Sequence, residues 1–210
     1  MPGATALLRN EPVQARSTAR LTSLLDAAAG VVDEIGFERL TTAMVAERAG
    51  ASIGTVYRYF PDRIAVLQSL AARSLTQFSQ RIRPALTEPI QANWWEAVNT
   101  VFDNAVNAFR SVPGFRSLRF GDVIDVHPDT DDRGGISIMS GEIASVLASA
   151  YGLPDDDDVR LRVEVAVTIA DSLLARAFAT DREGDSRYIE EARSVVRSYL
   201  VGRYGEPATA

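Results

Sequence analysis

Apolar residues recur along most of this chain at intervals of three and four, the spacing of one face of an α-helix. The first stripe is Leu21, Leu24, Leu25, Ala28, Val32 and Ile35, with Gly36 following where a left-handed helix end would fall. Phe37 and Leu40 lead into Thr41 and Thr42, side chains suited to open a helix. Met44, Val45 and Ala49 mark a short second helix that stops at Gly50, and Ser52 can cap a third running through Tyr57. Pro61 and Asp62 restart the chain as a fourth helix, with an apolar face of Ile64, Leu67, Ala71, Leu75, Phe78 and Ile82. Pro84 and Pro89 bracket a break, which is read as the domain boundary. Ahead of all this, residues 1–15 contain Gly3, Asn10 and Pro12 without periodicity and read as a flexible arm.

The rear half continues the helical pattern. Trp94, Val98, Val101, Phe102, Ala105 and Phe109 form a stripe closed by Pro113 and Gly114, and residues 115–126 have room for a short helix. Residues 127–135 and 152–158 read as loops from their Pro, Gly and Asp content. Between them, Ile136, Met139, Ile143, Val146, Leu147 and Ala150 are helical again. One segment points the other way: Val159, Leu161, Val163, Val165, Val167 and Ile169 alternate with less apolar residues, as a strand does. Helix is the reading adopted, because the segment runs without Gly or Pro to about Thr180 and no partner strand exists to satisfy its backbone. Tyr188, Ile189, Ala192, Val195, Val196, Tyr199 and Leu200 make the last stripe. The pattern predicts an all-α protein with no internal repeat.

Charge changes this picture more than composition does. Of the 210 residues 46% are apolar, enough for a substantial core, and no run is long enough to span a bilayer. Residues 1–10 do not read as a secretory signal, so a cytoplasmic protein is expected. With no cysteine, disulfides, thiolate metal sites and cysteine nucleophiles are excluded. Every basic residue is arginine, which fits a GC-rich genome better than selection for phosphate contacts, since most lie outside any plausible DNA-contacting stretch. The net charge of −6 looks wrong for a nucleic-acid binder. Residues 1–83, however, hold ten arginines against seven acidic residues, and residues 84–210 hold twelve against twenty-one. A polyanion should therefore meet the front of the chain.

The informative stretch is residues 40–67, LTTAMVAERAGASIGTVYRYFPDRIAVL. Two short helices joined by a tight turn at Gly50 are the parts of a helix-turn-helix, whose second helix enters the major groove. Small residues at Ser52, Gly54 and Thr55 permit close backbone approach, and Ser52, Thr55, Tyr57, Tyr59 and Arg63 supply donors for phosphates. Val45, Ala49, Val56 and Phe60 would form the small core between the two helices. Thr42, Ala46, Ala49, Gly50, Ser52, Gly54, Tyr57, Tyr59, Phe60 and Arg63 together resemble, in type and spacing, the signature of TetR/AcrR-type transcriptional regulators. The resemblance covers about the first 80 residues, and Arg63 stands where the family usually has lysine. It implies an N-terminal helix-turn-helix domain over residues 16–83 and a helical effector-binding and dimerisation domain over 84–210. It also implies DNA contacts from Thr42, Ala43, Ser52, Ile53, Gly54, Thr55, Tyr57, Tyr59 and Arg63. Thr42, Tyr57, Tyr59 and Arg63 would hold phosphates, and Ser52 to Thr55 would face the groove. Ala43 offers only apolar contact, of the kind a thymine methyl accepts. Arg9, Arg16 and Arg20 could reach flanking phosphates or stand unengaged in solvent.

For the rear half the resemblance is architectural. It implies a homodimer whose last two helices bury Val165, Ile169, Leu173, Val196 and Leu200 against the symmetry mate, matched to palindromic double-stranded operator DNA. It also implies a pocket for an apolar or aromatic small-molecule effector. Trp94, Trp95, Phe102, Phe109, Phe115, Phe120 and Met139 are candidates to line it, although aromatic stripes are more often plain core. His127, the single histidine, lies near Asp125, Asp129, Asp131 and Asp132; a solvated acidic loop is expected there, and neither metal nor cofactor. The Asp155 to Asp158 run reads as a solvated helix start. An effector-released repressor is the leading expectation. An activator or ligand-independent regulator with the same DNA-binding domain stays open, because fold does not set the regulatory sign. A helical-bundle enzyme is disfavoured, since the chain has no Glu-x-x-His pair and no Gly-x-Ser-x-Gly nucleophile turn.

Overall fold

The computed structural model describes residues 11–87, 91–119 and 134–208. All regular structure among them is helical: α1 (Glu11–Ile35), a 3-10 turn (Phe37–Arg39), α2 (Thr42–Arg48), α3 (Ile53–Tyr59), α4 (Arg63–Thr87), α5 (Trp94–Ser111), α6 (Phe115–Leu118), α7 (Gly135–Tyr151), α8 (Asp157–Ala177) and α9 (Ser186–Tyr204). The chain divides into two compact units, one ending at Leu70 and the other beginning at Ala71, so that α4 contributes to both.

In the first unit, α1 buries the stripe expected of it: Leu24, Leu25, Ala28 and Val32 are all in the interior. The helix begins earlier than the sequence suggests. Residues 11–15 are helical and not part of an arm, and Pro12 sits in the first turn, where a missing N–H interrupts no helical bond. Residues 1–10 lie outside the described residues. Thr41 caps α2, its Oγ1 accepting from the Met44 N–H at 3.2 Å. Gly50 then reverses the chain with φ +57°. The Ala51 N–H reaches the Ala46 carbonyl at 2.9 Å and the Gly50 N–H reaches Glu47 at 3.1 Å. This double bond pattern satisfies the orphan carbonyls of α2 and requires a left-handed residue at position 50. Ser52 caps α3 by accepting from the Thr55 N–H at 3.2 Å. Val45, Ala46, Val56 and Phe60 close the core beneath the two short helices, while Ala49 is only half-buried. Arg48 of α2 also pairs with Glu34 of α1, and this hydrogen bond holds the Glu34 carboxyl below its ordinary pKa.

The second unit has one apolar core. It is built from Phe78, Ile82 and Leu86 of α4 with the inward faces of α5, α7, α8 and α9. α4 ends inside the break expected between Pro84 and Pro89, a little beyond Pro84. The proline falls in the last turn of α4, which continues to Thr87, so only one helical bond is forgone close to an end. Residues 88–90, with Pro89, lie outside the described residues. The alternating segment is helical, as adopted. Along α8, Val159, Val163 and Ala166 are buried whereas Leu161 is 57% exposed, so the burial period is helical and the alternation of residue types misleads. Asp156 caps α8 through the Val159 N–H at 2.9 Å, and Asp157 and Asp158 occupy its first turn, where the helix dipole favours negative charge.

Candidate nucleic-acid interface and interior cavity

α3 is two turns long, and only its Val56 is buried. The remaining residues make an outward face. Ile53 is 43% exposed and Tyr57 52%, while Ser52, Gly54 and Arg58 are also exposed, with Thr55 and Tyr59 at its edges. Large apolar groups left in solvent on so small a unit signal a surface meant to be covered. Gly54 adds a sharper sign. A Cβ there would meet nothing in the protein nearer than Ser52 Oγ at 3.9 Å, so packing within the chain does not require glycine. Its backbone is helical, so conformation does not require it either.

The sequence-predicted residues gather around this face. Ser52 Oγ and Thr55 Oγ1 lie 2.9 Å apart at its N-terminal end. Thr42, at the start of α2, donates to Tyr57 Oη at 3.4 Å, and Ala43 is exposed beside it. Tyr59 Oη is 3.3 Å from Ser17 Oγ of α1. Between α1 and α3 a surface groove of about 680 Å3 is lined by Arg16, Ser17, Arg20, Arg58 and Tyr59, with the Arg58 guanidinium 5.5 Å from the centre of the Tyr59 ring. This groove concentrates three arginines next to the outward face of α3. Arg58 was not singled out from the sequence, although a basic residue between two exposed tyrosines on an outward helix was a usable sign. Arg63 stands apart. It is half-buried, and its Nη1 donates to the carbonyls of Glu38 at 2.7 Å and Phe37 at 3.5 Å, fastening the 3-10 turn to the start of α4. Arg9 lies outside the described residues.

In the second unit a narrow cavity of about 60 Å3 runs among α4, α5, α7, α8 and α9. Phe102, Phe109 and Met139 line it as expected, but three other candidates do not. Trp94 and Trp95 pack edge to face at 6.3 Å, and Trp94 meets Tyr204 in the same way; both rings are core. Phe115 is held between Phe78 at 6.1 Å and Phe109 at 5.3 Å and supports the wall from behind. Phe120 and the His127 loop lie outside the described residues. The sequence reading missed the α8 wall, formed by Val163, Ala166, Val167, Ala170, Asp171 and Leu174. Asp171 is buried, and its Oδ2 accepts from Arg119 Nη1 at 2.5 Å. Asp171 is the one charged residue of α8 between Glu164 and Arg176, and that was the available signal.

Two residues assigned to the dimer interface require correction. Val196 is 3% exposed and Leu200 2%, and both line the cavity, so the chain's own core takes them and leaves no surface for a partner. Val165, Ile169 and Leu173 remain half-buried on α8, Ile169 and Leu173 packing in part against the core. With exposed Leu161 they form a ridge spaced by four residues. No helix among the described residues is long and apolar enough to cross a membrane.

Two family models match the chain. The one described as "Bacterial regulatory proteins, tetR family" matches residues 24–70, and the one described as "Tetracyclin repressor-like, C-terminal domain" matches residues 92–204. A TetR-family transcriptional regulator from Streptomyces coelicolor is similar in structure, with a TM-score of 0.74 and 36% identity over 88% of this chain and 98% of that one. FadR from Bacillus subtilis, solved with stearoyl-CoA, shares the fold at a TM-score of 0.66 and 18% identity, over 89% of this chain and 99% of its own. The transcriptional repressor KstR of Rhodococcus jostii (strain RHA1) is 37% identical over 62 residues, 30% of this chain and 29% of that protein. The matched stretch thus spans less than a third of the length of KstR. In both its helix-turn-helix unit and its second helical unit, the chain belongs to the tetR family of bacterial regulatory proteins.

Proposed function

We propose that this protein is a sequence-specific repressor that binds a palindromic operator as a homodimer and is released by a small apolar effector. The observation that carries the reading is the outward face of α3, where Ile53, Gly54 and Tyr57 are presented to solvent beside a groove of arginines. A glycine that the protein does not need for its own packing suits a helix whose backbone must come close to base edges. Ser52, Ile53, Gly54 and Thr55 read the groove. Thr42, Ala43, Tyr57 and Tyr59 lie where the duplex walls pass, and Arg16, Arg20 and Arg58 neutralise phosphates alongside. Arg63 acts chiefly through the two carbonyls it holds, which fix the approach of α2 and α4.

The effector reading rests on the cavity, whose lining among the described residues is apolar apart from Asp171. A related fold that holds stearoyl-CoA supports an apolar occupant in kind. The dimer reading rests on the α8 ridge of Leu161, Val165, Ile169 and Leu173, a spacing suited to ridge-and-groove packing against a second copy. Binding to DNA upstream of the protein's own gene tests the reading: a marked preference over unrelated duplex supports it, and equal binding at moderate salt refutes it.

A further inference from the structure

The outward face of α3 is short of side chains that read bases by paired hydrogen bonds. Such reading uses Arg or Lys for guanine and Asn or Gln for adenine. α3 holds no Asn, Gln or Lys. Its single arginine, Arg58, has its guanidinium 5.5 Å from the centre of the Tyr59 ring, in the groove shared with Arg16 and Arg20 of α1. The hydroxyls of the face are engaged within the chain. Thr42 donates to Tyr57 Oη at 3.4 Å. Ser52 Oγ accepts from the Thr55 N–H at 3.2 Å and lies 2.9 Å from Thr55 Oγ1, so one of these two hydroxyl hydrogens is used between them. What is left on that pair meets a donor or an acceptor alike and does not by itself fix a base. The rest of the face is apolar. Ile53 opens α3 and is 43% exposed, Gly54 follows it without a side chain, and Ala43 of α2 is exposed as well. Isoleucine is branched at Cβ, so within a helix its χ1 is nearly fixed and it stands as a stiff apolar knob.

We infer that Ile53 determines specificity by packing on the C5-methyl group of a thymine, and that each operator half-site carries a T·A pair where Ile53 meets it. That methyl is the one methyl group a DNA base presents in the major groove. Ile53 set against it buries apolar surface on both sides and leaves no polar group unpaired. Against guanine, adenine or cytosine the same side chain strips water from a ring nitrogen, a carbonyl oxygen or an exocyclic amine and returns no hydrogen bond. Selection therefore comes from the penalty on the wrong bases as much as from the gain on thymine. Gly54 lets the backbone come close enough for so short a side chain to reach the base, since a Cβ there would point into open space on this face. 5-Methylcytosine presents the same methyl, so it is preferred over cytosine at the same position. This inference rests on the reading of α3 as the helix that enters the major groove.

The test begins with a pool of randomised duplexes, from which the full-length protein selects its own operator. The selected duplex is then made with deoxyuridine in place of thymine, one position at a time, which removes the C5-methyl and keeps the base pair. Anisotropy titrations should show a position in each half-site where loss of the methyl weakens binding about fivefold. At that position 5-methylcytosine should bind more tightly than cytosine by a similar factor. Ile53→Ala, a change at an exposed site that leaves folding nearly untouched, should bind the thymine and uracil duplexes alike. An effect of uracil on duplex flexibility would persist in the variant, so the variant separates contact from shape. Uracil duplexes bound by the native protein as tightly as the thymine duplex, or a thymine preference unchanged in Ile53→Ala, overturns the inference. A defined operator without such a thymine also removes this role from Ile53 and leaves sequence-specific binding standing. Enrichment of no sequence contradicts both this inference and the proposed function.

Discussion

A glycine inside a helix destabilises it by roughly 0.8–1 kcal/mol relative to alanine, and Gly54 holds such a place with no neighbour crowding it. Gly54→Ala should therefore raise stability toward chemical denaturant by about that amount while weakening operator binding about tenfold or more, because the added methyl is forced into a close interface. Unchanged DNA affinity would mean that nothing approaches that face. Tyr57 and Thr55 separate two kinds of contact. Tyr57→Ala should weaken operator and unrelated duplexes by similar factors, as loss of a backbone contact does, whereas Thr55→Ala should change the ranking within a panel of operator variants. Similar behaviour of the two would show that these contacts are wrongly sorted. Residues whose bonds are local were legible from sequence. Ser52 and Gly50 act on groups within a few positions of themselves, so their types announce their roles. Arg63 was not legible in this way, because the carbonyls it holds belong to Phe37 and Glu38, about 25 positions earlier.

α8 shows what periodicity can and cannot deliver. Its β-branched residues alternate like a strand, and the helical reading rested on length and on the lack of a partner strand, both of which are visible in sequence. The direction of each face was not visible. An apolar residue directed at the protomer core and one left at its surface look alike in sequence, so Val196 and Leu200 were assigned to a partner although both are buried in the core, and Leu161 is the exposed one. The same ambiguity put Trp94 and Trp95 in the cavity when they pack in the core. Two substitutions separate the faces. Leu161→Glu, at an exposed site, should leave the stability of the protomer within about 0.5 kcal/mol but reduce the mass seen by light scattering from that of two chains to one. Leu200→Ala should do the opposite, costing about 2–5 kcal/mol through a core cavity while the dimer mass persists. A dimer unaffected by Leu161→Glu would remove the α8 ridge from the interface.

Charge is distributed unevenly along the molecule. Its basic residues exceed its acidic ones only in the front of the chain, and the arginine groove of the first unit lies beside the exposed face of α3. This asymmetry was readable from sequence, since it needs only counting; the concentration of Arg16, Arg20 and Arg58 in one groove needed α1 and α3 to be brought together. Binding should weaken steeply as salt rises, because each neutralised phosphate releases counterions, and replacing any one of the three arginines should flatten that dependence. A slope unaffected by all three would place the duplex elsewhere. The most direct measurement is fluorescence anisotropy of the full-length protein with DNA from upstream of its own gene, against a shuffled duplex of the same length and composition at physiological salt. The upstream DNA should bind about a thousandfold or more tightly, with two chains per site; indistinguishable titrations of the two duplexes would contradict the account.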